Sequence, residues 1–226
     1  MNKKPLNIAH LADIHIFFDK RHDEHIEVIN NLKESLIKDK LDLIYVAGDV
    51  TDSKTRISPE QLDVINYFFY TLSDIAPVIC IIGNHDTNLY TQNKLDALTP
   101  IINELKTEHP IYLLKNTGVY NLYNIDWLVW SRTDDKNPLD VYTFSDDRYT
   151  IGCYHGPIEG CVTDTGWNKF SKTRKLKDFG DCQTVFLGDI HKLQYFKKKI
   201  EKIVTEEQLE NFKGLDDFEI IEEIEC

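Results

Sequence analysis

Short apolar runs that break off abruptly into small and polar residues recur five times along the chain. They are Ile8-Ala-His-Leu-Ala-Asp13-Ile-His15, Val46-Ala-Gly-Asp49-Val-Thr-Asp52, Ile81-Ile-Gly-Asn84-His85-Asp86, Ile151-Gly-Cys-Tyr-His155-Gly156 and Val185-Phe-Leu-Gly-Asp189-Ile-His191. Continuous rather than alternating apolar residues mark a strand buried on both faces, as in a parallel sheet. Each run therefore predicts a strand that delivers Asp, Asn or His to its C-terminal end, the edge at which open α/β sheets bind ligands. Between the runs the period becomes helical. Ile26, Ile29, Leu32, Leu36 and Ile37 predict a helix from about His22 to Asp39, returning the chain to a strand at 42–47 in a right-handed βαβ unit. Ser58 as N-cap, Pro59 in the first turn and Leu62, Ile65, Phe68, Phe69 and Leu72 on one face predict a second helix over 58–75.

Four successive aromatics in that helix, Tyr67-Phe-Phe-Tyr70, fan around about 300°, more than one sheet covers. The excess is expected to face a second copy of the chain or to lie under a neighbouring loop. A short helix begins near Pro100. Over 111–130 the pattern changes to short runs split by Asn, Thr and Gly, which predicts antiparallel strands and hence a second sheet packed on the first, with helices outside. Residues 132–147 read as a polar surface loop and 161–178 as a basic one.

A chain of 226 residues, 42% hydrophobic and 28% charged, suits one soluble domain with a complete core. No apolar run reaches the ~20 residues of a membrane span, and the N-terminus lacks the apolar segment of a signal peptide, so the expected location is cytoplasmic. Five cysteines, odd in number and without a CxxC pair, read as reduced thiols acting as small hydrophobes. Net charge is −12, but residues 201–226 hold ten acidic against two basic side chains and carry −8 of it. That division predicts a core domain over 1–196 and an acidic tail over 197–226. Within the core, Lys169, Lys172, Arg174, Lys175 and Lys177 run without an intervening acid, so overall acidity does not exclude a nucleic-acid partner.

The strand ends carry the candidate chemistry. Asp13 and His15, two apart on a strand, point to the same face, where one cation can take both. Alone, this pair reads more simply as a helix-capping Asp beside an exposed His. A lone strand-end His such as His155 is likewise more often structural, and its place beside four other ligand-rich strand ends reverses that preference. Asp49 has two carboxylate oxygens with which to bridge two cations, which His and Asn lack. Asn84 offers a neutral carbonyl ligand, and His85 follows where a substrate phosphate could sit. His155 is a further ligand candidate, as are Asp189 and His191, again two apart; His10 is assigned to structure.

In order and spacing, Asp13-x-His15, Gly48-Asp49-x-x-Asp52, Gly83-Asn84-His85-Asp86, His155-Gly156 and Gly188-Asp189-x-His191 are similar to the signature of the calcineurin-like metallophosphoesterases. The resemblance spans residues 8–194. Val46-Ala-Gly-Asp-Val-Thr-Asp and Gly188-Asp-Ile-His-Lys-Leu-Gln194 look most like the DNA-repair branch: bacterial SbcD, the meiotic-recombination nucleases and the phage recombination endonuclease subunits.

The resemblance implies an α/β fold, a four-layer αββα sandwich of two mixed sheets, shortened at its C-terminus. It implies two divalent cations, manganese above others: one held by Asp13, His15, Asp49 and His191, the second by Asp49, Asn84, His155 and Asp189. The family usually has His where this chain has Asp189, a hard ligand that adds negative charge. His85 would stabilise the transition state or protonate the leaving oxygen, with Asp86 orienting it. The implied activity is hydrolysis of DNA phosphodiester bonds. Implied partners are DNA, contacted by the basic run, a second copy of the chain and an SMC-like ATPase. That branch continues past Gln194 with further strands, a capping domain and an ATPase-docking segment, and this chain ends about thirty residues later. Two other readings stand beside it: a general phosphatase or phosphodiesterase for small phosphoesters, and a non-catalytic scaffold on the same fold.

Overall fold

The computed structural model describes residues 6–53, 56–89, 95–134, 136–145, 147–162, 166 and 173–191. Lys169, Lys172, Gln194 and the acidic tail lie outside the described residues. Among the described residues, eleven strands and α-helices alternate in a βα pattern that gives way to strands alone: β1 (Ile8–Leu11), α1 (His22–Leu36), β2 (Leu43–Val46), α2 (Pro59–Ser73), β3 (Val78–Ile81), α3 (Leu98–Glu104), β4 (Ile111–Leu114), β5 (Gly118–Leu122), β6 (Ile125–Trp130), β7 (Tyr149–His155) and β8 (Thr184–Gly188). Strands β1-β2-β3-β4 form one sheet, parallel throughout, and β5-β6-β7-β8 a second. In the second, β5 and β6 form an antiparallel hairpin, while β6, β7 and β8 run parallel.

Two expectations change here. Residues 111–114 do not start the antiparallel set but add to β3 as a fourth parallel strand, so one sheet is parallel and only the other mixed. Tyr112-Leu-Leu was too short to show which partner its backbone takes. The loop over 132–147 is also not merely polar surface. Leu139, Tyr142 and Phe144 pack with Trp130, Tyr154 and Phe179 on the outer face of the second sheet. Among the described residues that face is covered by this loop and a 3-10 turn, Leu176–Phe179, rather than by an α-helix.

Side-chain alternation in β2 and β3 explains the layering. Ile44, Val46, Val78 and Cys80 face the helices with Ile65, Phe68, Phe69 and Leu72 of α2. Leu43, Tyr45, Ile79 and Ile81 face the other way, against Trp127, Val129, Ile151 and Cys153 of the second sheet. The predicted cap of α2 is present, Ser58 Oγ accepting from the Gln61 amide at 3.1 Å. Its aromatic run leaves no exposed patch among the described residues. Phe68 and Phe69 are fully buried, Tyr67 packs on the core and bonds Asn30 of α1, and Tyr70 alone is open. A single exposed ring is ordinary surface, so the aromatic argument for self-association falls.

No helix among the described residues is long and apolar enough to cross a membrane.

Candidate metal centre

The two sheets bring their strand ends to one place. The last paired residues of β1, β2 and β3 are Leu11, Val46 and Ile81, and His155 at the end of β7 pairs with Gly188 at the end of β8. The His155 ring crosses between the sheets, its Nδ1 donating to the Ala47 carbonyl at 2.6 Å. That bond fixes the tautomer and turns Nε2 toward Asp49, whose Oδ2 lies 3.2 Å away. Contact this close depends on absent β-carbons. One on Gly188 would sit 2.4 Å from the Ala47 oxygen and 2.6 Å from His155 Nδ1; one on Gly48, whose φ is +89°, would sit 2.6 Å from the Gly83 nitrogen.

Asp13 and His15 reach this place by a different route from the one alternation predicts. Both have left strand geometry, with φ of 57° and 48°, as have Asp49 at 53° and Asp189 at 71°. Their backbone still follows the neighbouring loop, the amides of Asp13, His15 and Ile16 donating to Gly48, Asp49 and Val50. Non-glycine residues in the left-handed region are uncommon and uphill, and three of them here, Asp13, His15 and Asp49, turn two carboxylates and an imidazole toward a common centre.

His15 Nε2 lies 3.8 Å from Asp49 Oδ2, His155 Nε2 4.0 Å from Asp13 Oδ1, and His191 Nε2 3.8 Å from the same Asp13 oxygen. Ligand atoms of Asp13, His15 and His191, and those of Asp13, Asp49 and His155, lie within 4.8 Å of one another. Four buried atoms here have no hydrogen-bond partner: His15 Nε2, Asp49 Oδ2, Asn84 Oδ1 and His155 Nε2. Buried polar atoms are rarely left so. The unpartnered His15 and His155 nitrogens beside the unpartnered Asp49 oxygen fit a divalent cation, and a set without thiolate suits a hard or intermediate ion such as magnesium or manganese.

The same crowding sets the charges of the chain without metal. Burial lowers the pKa of His15 and acts in the same direction on His155, but Asp49, Asp189 and Asp13 outweigh it at His155 and raise that imidazole to about 9. Burial pushes the Asp49 carboxyl up, and the adjacent His155 with the His85 amide more than reverses this. The Asp189 carboxyl is held up by burial against the pull of His155 and Arg132.

Three of the expected site positions show contacts other than those expected. Asp86 is not hydrogen-bonded to the His85 ring. Its fully buried carboxylate accepts from the amides of Asp49, Gly83 and Thr51 at 2.8, 2.9 and 2.9 Å and from Thr51 Oγ1 at 3.2 Å, locking the two loops together. His85 instead donates from Nδ1 to the Asp52 carbonyl at 2.9 Å, and Asp52, His15 and His85 form a third close group. Asp52 stood in the Gly-Asp-x-x-Asp spacing but drew no role, because a backbone acceptor leaves no mark in a sequence. Asp189 is not gathered with the ligand atoms among the described residues; its amide donates to both Asp13 oxygens at 3.1 Å. A left-handed residue directly after β8 breaks the strand alternation that paired Asp189 with His191. Of the basic run, Lys175 pairs with Glu159 at 3.1 Å and Arg174 stacks 5.3 Å from the Tyr154 ring centre.

The chain is 39% identical over 202 residues to an uncharacterized protein of Acanthamoeba polyphaga mimivirus, an alignment covering 84% of this chain and 15% of that one. It is 26% identical over 147 residues to the DNA double-strand break repair protein Mre11 of Nanoarchaeum equitans, covering 61% and 40%. It is 27% identical over 207 residues to a Fibrobacter succinogenes protein named as a probable cyclic nucleotide phosphodiesterase, covering 84% and 75%. It thus spans well under two thirds of the first two relatives. Among solved structures, nuclease MPE of Pseudomonas putida aligns with a TM-score of 0.39 and 12% identity over 75% of this chain and 78% of that one. The family of calcineurin-like phosphoesterases matches residues 6–193, and with these histidines and carboxylates in place the chain belongs to it.

Proposed function

We propose that this phosphoesterase is a manganese-dependent DNA nuclease that hydrolyses phosphodiester bonds. The observation that carries the hydrolytic part is the cluster of unpartnered buried atoms around Asp49, fed by both sheets. Asp13, His15, Asp49 and His191 would hold one divalent cation, and Asp49, Asn84 and His155 a second. When bound, the pair supplies Lewis-acid activation of water and neutralises charge developing on the phosphoryl oxygens. His85, held by the Asp52 carbonyl, keeps its other nitrogen free to donate a proton to the leaving oxygen. Asp86 holds the Asp49 and Gly83–His85 backbones in register and touches no reacting group.

DNA as substrate is supported by the likeness to Mre11 and to the nuclease-branch motifs. A second copy of the chain and an SMC-like ATPase enter the proposal through the motif resemblance alone. The second reading, a phosphodiesterase for small substrates, is favoured by the Fibrobacter relative, which aligns over more of both chains. Manganese-dependent turnover of bis-p-nitrophenyl phosphate, a cyclic nucleotide, and single- and double-stranded DNA separates the two, with Asp49→Asn as the dead control. Cleavage of DNA supports the first reading. Hydrolysis of the small diesters with intact DNA replaces it with the second, and no tight divalent-ion binding by calorimetry leaves only a scaffold.

A further inference from the structure

Beside the metal residues, two arginines meet at a tyrosine. Arg132 follows β6, and its guanidinium lies against the backbone just beyond β7: a β-carbon on Gly156 would fall 2.3 Å from Arg132 Nη1 and 2.5 Å from the Tyr154 hydroxyl. These two groups are thus no further than about 5 Å apart. Arg174 covers the face of the same ring, and its backbone is tied to the loop after His155. Its amide donates to the Pro157 carbonyl at 3.2 Å and its carbonyl accepts from the Glu159 amide at 2.7 Å. Among the described residues neither guanidinium has a carboxylate partner within ion-pair distance. Arg132 acts electrostatically on Asp189, which also feels His155, Asp49 and Asp13.

Guanidinium groups are planar forks suited to bidentate contact with phosphate. Both stand at Tyr154 without a carboxylate partner among the described residues, and Arg132 lies against Gly156, the residue after the candidate metal ligand His155. We propose that Arg132 and Arg174 form a phosphate subsite for a nucleic-acid strand, gripping a phosphate that neighbours the scissile one. The idea rests on the nuclease reading. It deepens that reading by giving the site a means to prefer a polynucleotide over an isolated phosphodiester, since only a polymer presents a second phosphate. Of the five cations in the basic run, it selects Arg174 and adds Arg132, which lies outside that run.

The test uses the full chain with manganese and two probes. One is a fluorescent phosphorothioate oligothymidylate, whose binding is read by anisotropy across a salt series. The other is bis-p-nitrophenyl phosphate, whose hydrolysis reads the metal centre alone. Arg132→Gln and Arg174→Gln should each weaken oligonucleotide binding about tenfold and flatten the plot of log affinity against log salt by about 0.7. Turnover of the small diester should stay within twofold of wild type. Arg132→Lys should recover the salt slope while regaining only part of the affinity, because charge returns without the fork. An unchanged salt slope, equal losses on both probes, or a wild type that binds no oligonucleotide overturns the subsite. Wild type that binds through the arginines yet leaves natural DNA uncut keeps the subsite and removes the nuclease assignment instead.

Discussion

Replacing Asp86 with alanine separates a brace from a catalytic partner. The carboxylate is fully buried and is the acceptor for three amides and one hydroxyl, all from the loops that carry Asp49 and His85. Each buried donor left without a partner costs about 1–3 kcal/mol. Against that loss stands one relief. Burial raises Asp86 to about 6 from an ordinary 3.8, so keeping it ionised at neutral pH costs about 3 kcal/mol. The Thr51 hydroxyl keeps its bond to the His85 carbonyl at 2.8 Å, so three orphaned amides at about 2 kcal/mol each outweigh the relief and leave a net destabilisation of about 3 kcal/mol at pH 7. Urea unfolding of the metal-free protein, followed by fluorescence of its three tryptophans, reads this directly.

The pH dependence adds a second, independent mark. A carboxyl whose folded pKa lies above its unfolded value is protonated only in the folded state between about 4 and 6. Its contribution is therefore most favourable at low pH and is lost as pH rises through that window. Wild type should lose stability relative to Asp86→Ala as pH rises from 5 to 7, so the gap between them narrows. A variant within 1 kcal/mol of wild type, or a gap that widens with pH, would show that the four hydrogen bonds do not hold the loops. His85→Ala, which gives up one ring hydrogen bond, is the control and should cost about 1 kcal/mol or less.

His85→Ala should also leave divalent-ion stoichiometry and affinity intact by calorimetry while lowering turnover about 10²–10⁴-fold; parallel loss of metal would make it a ligand instead. Gly188→Ala forces a methyl against the Ala47 carbonyl and the His155 ring, so it should destabilise by about 1–3 kcal/mol and weaken metal binding; wild-type melting and affinity would mean the sheet ends do not meet so tightly. Protonated His155, at about 9, must lose its proton to ligate, so metal affinity should rise with pH up to about 9. Titration in two buffers of different ionisation heat should show about one proton released near pH 7.5, and no release would refute the assignment. In the metal-free chain the same raised pKa makes His155 stabilising below 6.5, a contribution lost as pH rises through 9.

Much of this was legible because buried parallel strands leave a blunt trace: apolar runs stop where the strand stops, and the next residues are those delivered to the edge. Ile44, Val46, Val78 and Cys80 lie in the core for the reason that predicted their strands. What did not show was anything carried by backbone conformation. Asp13 and His15 converge through left-handed residues rather than strand alternation, and the same conformation at Asp189 aims its amide, not its carboxylate, at Asp13. His85 takes its orientation from a carbonyl, and Asp86, its neighbour in sequence, turns away to hold amides. Arg132 gave no sign at all, since one cation at the head of a polar loop is indistinguishable from solvated surface until Gly156 is seen beside it.

The acid at 189 has a consequence for the whole site. Asp13, Asp49 and Asp189 all act on His155 and raise its imidazole to about 9 against the effect of burial. An imidazole at 189 would be neutral or add to the positive side; a carboxylate makes the surroundings of His155 more negative and would strengthen the pull on a divalent ion. The same charge opposes an approaching phosphate. Arg132, whose charge acts on Asp189, partly neutralises that carboxylate. On the proposed reading, aspartate at this position and the guanidinium that acts on it form one arrangement, the carboxylate adding to the pull on cations and Arg132 balancing its charge.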